Sequence, residues 1–69
     1  MSQLLPMSKH EQLNVLLFQL NLVNTEAAEL CGVSERTIYR WLAGHTVVPT
    51  ATLRFLEMTL RLQRRAAQG

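Results

Sequence analysis

A chain of 69 residues, 48% of them hydrophobic, is enough for one small folded domain and too apolar for a disordered tail. The formal net charge is only +2, so the charge total by itself selects no partner. Cys31 is the sole cysteine, which excludes an internal disulfide and a cysteine-based metal cluster.

Met1 to Met7 carry no periodic pattern, and Pro6 keeps the chain extended ahead of the first helix. Leu4 and Leu5 are apolar enough to pack on a neighbour or on a second chain. Ser8 and Glu11 make a capping box, which predicts a helix from Lys9. Leu13, Leu16, Leu17 and Leu20 recur at i, i+3, i+4 and i+7, one apolar stripe that carries the helix to Leu20 or Leu22. His10, in its first turn, is expected to be exposed.

Asn24 and Thr25 are the caps expected for a second helix holding Ala27, Ala28, Leu30 and Cys31. Gly32 ends it, because a residue without a β-carbon enters the left-handed region at little cost, and Val33 plugs the turn into the core. Ser34 caps a third helix, roughly Glu35 to Ala43, which Gly44 ends. Two short helices joined this tightly cross steeply, and Ala28 is small enough to sit at the contact. Ala27, Cys31, Val33, Ile38 and Trp41 are the other inward positions, which leaves Ser34, Glu35, Arg36, Tyr39, Arg40 and Ala43 on the outer face.

Pro49 or Thr50 starts a fourth helix running to about residue 65. Leu53, Leu56 and Leu60 form its inner stripe. Phe55, Met58 and Leu62 form a second stripe, more apolar surface than a one-sided helix needs. No strand pattern, repeat or low-complexity run interrupts this order. The expectation is one all-α domain over residues 1–69, with four to five helices and its characteristic part at residues 24–44.

The segment Asn24 to Gly44, NTEAAELCGVSERTIYRWLAG, resembles the helix-turn-helix of Cro/phage-repressor-type regulators. AAELCGVSER, with Val48-Pro49 and FLEMTL downstream, is also similar to anti-CRISPR-associated repressors of phages. The resemblance implies a small all-helical homodimer that binds operator DNA. It implies that Glu35, Arg36 and Arg40 read base edges and that Asn24 and Thr25 touch phosphate. Ser34 and Thr37, at the start of the third helix, are phosphate candidates with them. Glu35 departs from the family's usual pattern; a carboxylate there either accepts from cytosine N4 or orients Arg36 or Arg40. Tyr39 is a further base-reading candidate: it stacks on a thymine methyl, donates to a phosphate, or covers Arg36. His45 and Thr46 follow the helix where loops of this family reach phosphate, although ordinary loop polarity explains them nearly as well.

Arginine forks onto phosphate and guanine in a way lysine does not, and Lys9 is the only lysine here. Arg61, Arg64 and Arg65 have a simple reason to stand where they do, since cations offset the dipole at a helix C-terminus. Arg54, near the start of its helix, has no such reason and is the better phosphate candidate. One helix offers two or three base contacts worth ~1–3 kcal/mol each, short of the ~4–10 kcal/mol that separates specific from non-specific binding. Two recognition helices on a palindrome make up the difference, so a homodimer is expected, through Phe55, Met58 and Leu62 with Leu4 and Leu5.

The function expected is therefore sequence-specific binding of double-stranded DNA by a transcriptional regulator, most simply a repressor. Two alternatives stand beside it. GVSERTIYRW also resembles excisionase-like and transposase DNA-binding modules, although Pro49 leads into a helix here rather than a β-wing. An antitoxin-type interaction protein would bind a partner through the fourth helix. With no paired carboxylates, metal-ligand cluster, glycine-rich phosphate loop or catalytic triad, no enzyme, cofactor or small-molecule ligand is expected. One thiol and no leader pattern point to a reducing, cytoplasmic setting, and the apolar runs are too short to span a bilayer.

Overall fold

The computed structural model describes residues 7–68, so Leu4 and Leu5 lie outside the described residues. Four helices follow one another, α1 (Lys9–Leu20), α2 (Asn24–Cys31), α3 (Glu35–Leu42) and α4 (Thr50–Gln68), with no strand among the described residues. The domain is all-α, with four helices described where the sequence left room for five.

The helix ends follow from local chemistry. Glu11 Oε1 accepts from the Ser8 backbone N–H and from Ser8 Oγ, each at 3.0 Å, which ties down the start of α1. Asn21 stops α1 at Leu20 by taking a left-handed conformation, φ 58°, which asparagine tolerates better than most residues. Gly32 (φ 71°) and Gly44 (φ 79°) do the same after α2 and α3. At each of the three ends two backbone N–H groups reach back to carbonyls of the last turn, as in Val33 to Ala28 at 3.0 Å and His45 to Arg40 at 3.0 Å. An added β-carbon at Gly32 would meet nothing within 4 Å, so glycine is required there by its backbone angle and not by space.

One start differs from expectation. Val23, not Asn24 or Thr25, caps α2, and Asn24 is already its first residue. Valine has no side-chain acceptor, so Glu26 alone does the capping, its Oε1 accepting from the Val23 N–H at 3.1 Å. α4 starts at Thr50, one of the two positions the sequence offered, with the Pro49 carbonyl accepting from Thr52 at 3.0 Å and Leu53 at 3.3 Å. It also runs on to Gln68, three residues past the expected end near 65, since nothing from Ala66 to Gln68 breaks a helix.

The core forms where the stripes meet. Leu13, Leu16, Leu17 and Leu20 of α1 pack with Ala27 and Ala28, with Ile38 and Trp41, and with Leu53 and Leu56. α1 lies against both α3 and α4, and α2 lies against α3, while α2 and α4 barely touch. Leu13, Ile38, Val48 and Leu56 are completely enclosed, each side chain worth ~1.5–3 kcal/mol of burial. Val48 is the surprise, because it sits in the link between α3 and α4, where no period marks the inward residue. Lys9 Nζ donates to Thr50 Oγ1 at 3.0 Å, joining the start of α1 to the start of α4. His10 is half-buried rather than exposed, its ring lying where a β-carbon on Gly44 would touch it at 3.5 Å.

Candidate nucleic-acid interface

Ile38 and Trp41 set the orientation of α3. Both are buried against α1 and α2, so the residues between them must face out. Glu35, Arg36, Tyr39 and Arg40 are all exposed, Tyr39 at 54%. α2 can approach closely behind them because Ala27 and Ala28, both buried, present only methyl groups to the contact. Arg36 and Arg40 lie one turn apart on one side of the helix. α3 spans only Glu35–Leu42, so Arg40 falls in its last turn instead of near its N-terminal half. There the helix dipole also favours a cation.

The N-terminal ends of α2 and α3 are tied together. Thr25 Oγ1 donates to Glu35 Oε2 at 2.7 Å, a link across ten residues that no periodicity reveals. In this geometry Thr25 has spent its only hydroxyl proton on Glu35, so donating to a phosphate requires the link to open. Glu35 keeps Oε1 as an outward acceptor, the atom a cytosine amino group would need.

Ser34 and Thr37 also face each other. Ser34 Oγ accepts from the Thr37 backbone N–H at 3.2 Å and lies 3.0 Å from Thr37 Oγ1. Whichever hydroxyl donates within that pair, one O–H is left to point at an outside acceptor. The remaining backbone N–H groups of the first turn, with the positive end of the helix dipole, favour an anion at the same place.

The other expected contacts are spread more widely. Asn24 is half-buried beside Thr25, and His45 and Thr46 are exposed immediately after α3. Arg54 is exposed on α4, whose main contact is with α1 and not with α3, so it is carried on a separate element from the arginine face. Cys31 is only half-buried, against the expectation of a buried residue, and that burial pushes its thiol above the ordinary range. Among the described residues no group of His, Cys, Asp and Glu could hold a metal ion, and no helix is long and apolar enough to cross a membrane.

No family model, curated protein or solved structure matches this chain. The functional reading therefore depends on the α2–α3 geometry itself, on what its exposed groups can do, and on the motif resemblance.

Proposed function

We propose that this chain is a sequence-specific double-stranded DNA-binding protein, a regulator of the Cro/phage-repressor helix-turn-helix type that acts as a homodimer on a palindromic operator. One observation carries the reading: α3 holds Arg36, Tyr39 and Arg40 outward while Ile38 and Trp41 lock its other side into the core. An arginine fork matches the N7 and O6 acceptors of guanine in the major groove, and a helix of this width fits that groove. The α2 N-terminus, Ser34 and Thr37 supply backbone and hydroxyl donors for the flanking phosphates.

Repression follows most simply from occupancy, since a bound dimer covers the operator against other proteins. It needs no cofactor, no catalytic group and no small ligand, and it suits a cytoplasmic protein. Selection of bound duplexes from random DNA tests the proposal. The expected result is a palindromic motif with at least one guanine in each half-site, bound with an affinity that falls steeply as salt rises. A flat salt dependence, or a bound pool no different from the input, would sink the reading.

A further inference from the structure

α4 presents more apolar surface than the chain covers. Phe55 is 44% exposed, Met58 59% and Leu62 63%. With Ala51 they are spaced by four, three and four residues, the spacing of a seam that two helices share. Every residue from Arg61 to Ala67 is exposed.

Charge is ordered across this face. At about 100° per residue, Arg54, Arg61 and Arg65 form a row along one flank of the apolar band. On the other flank α4 and α2 leave a groove. Near the start of α4 it is lined by Leu30 and Cys31 opposite Ala51 and Phe55. Further along, Glu26 and Glu29 of α2 stand across it from Thr59 and Gln63 of α4. The face therefore reads basic row, apolar band, acidic rim. The acidic rim lies level with the Arg61–Arg65 half of α4.

A face with that order is complementary to itself in only one orientation. Rotation by 180° about an axis parallel to α4 lays the basic row of one copy on the acidic rim of the other and apolar band on apolar band. Rotation about the perpendicular in-plane axis makes the helices antiparallel and sets arginine against arginine. We propose that a second copy of this chain covers this face, with the two α4 helices parallel across a twofold axis. Arg61 and Arg65 of each copy then face Glu29 and Glu26 of the other. The inference deepens the homodimer half of the proposed function and is independent of its DNA half.

Sedimentation equilibrium of the full chain without DNA, over micromolar concentrations, provides the test. The wild type sediments as a dimer. Glu29→Arg and Arg61→Glu each place like charges twice in the interface and weaken dimerisation by about tenfold or more. The doubly reversed protein recovers most of that loss. Glu29 and Arg61 are both exposed, so the folded monomer tolerates the changes, and helical circular dichroism checks this. Met58→Asp, in the middle of the band, dissociates the dimer while leaving the fold intact. A monomeric wild type, or a double reversal no better than either single change, overturns the proposal. Binding of random duplex DNA by such a monomer would leave the reading of α3 standing and assign the α4 face to another partner.

Discussion

α3 and α4 both display arginines, yet they hold them in different ways. α3 is short, enclosed on one side by Ile38 and Trp41, capped by Ser34 and linked through Glu35 to Thr25. The backbone that carries its arginines is thereby held in a packed frame, which is what reading base edges demands. Residues Arg61 to Ala67 of α4 are all exposed, and the arginines among them are the cations that a helix C-terminus attracts in any case. Position in the frame, rather than charge, separates a candidate reader from a solvated or interface cation.

Truncating a side chain under each helix breaks the comparison most sharply. Ile38→Ala removes fully buried volume beneath α3 and is expected to cost ~2–5 kcal/mol. A core this small supplies only ~3–5 kcal/mol in total, so much of that variant should be unfolded at room temperature. Leu62→Ala, at a residue 63% exposed, should change the stability of the monomer by no more than ~0.5 kcal/mol. Urea unfolding of both variants at concentrations too low for dimers decides it. Equal losses would mean that the end of α4 is packed as firmly as α3.

A smaller difference is expected in DNA binding. Arg36→Ala should weaken binding by ~1–3 kcal/mol per half-site and relax the preference at one base pair. Arg64→Ala, in the exposed end of α4, should leave the selected motif unchanged. Fluorescence anisotropy on the selected duplex and on variants at each position measures both. If Arg36→Ala lowers affinity evenly for all sequences, Arg36 is a phosphate contact and α3 sits higher over the groove than proposed.

Much of the fold was legible because its signals are local. The leucines of α1, the Ser8–Glu11 box, Gly32 and Gly44 each act within a few residues, and they set most helix ends to within one position. The outward face of α3 followed from Ile38 and Trp41 in the same way. What escaped depends on pairs far apart in sequence or on links without a period. The Thr25–Glu35 and Lys9–Thr50 bonds join separate helices, and neither partner's neighbours announce it. Val47 and Val48 are chemically alike, yet one is 74% exposed and the other completely buried; nothing in that link indicates which one turns inward. Val23 as a cap was hidden because the capping group is the carboxylate three residues later, not the cap's own side chain.

The smallest effect separates the caps of α1 and α3 by pH. Hydrogen bonds from the Ser8 backbone N–H and hydroxyl hold the Glu11 carboxyl below its ordinary value of 4.5. A group whose folded value is depressed adds stability above its unfolded value and loses it as pH falls through the folded one. The α1 start should therefore weaken below about pH 4.5, whereas the Ser34 hydroxyl that caps α3 carries no proton equilibrium in that range. Glu11→Gln keeps an acceptor but removes the charge, so it should flatten this part of the acid limb while leaving α3 untouched. Amide hydrogen exchange between pH 3 and pH 6, corrected for the intrinsic rates, resolves the two helices separately. Parallel loss of protection in both helices, unchanged by Glu11→Gln, would show that the domain opens as one unit in acid and that the cap has no local effect.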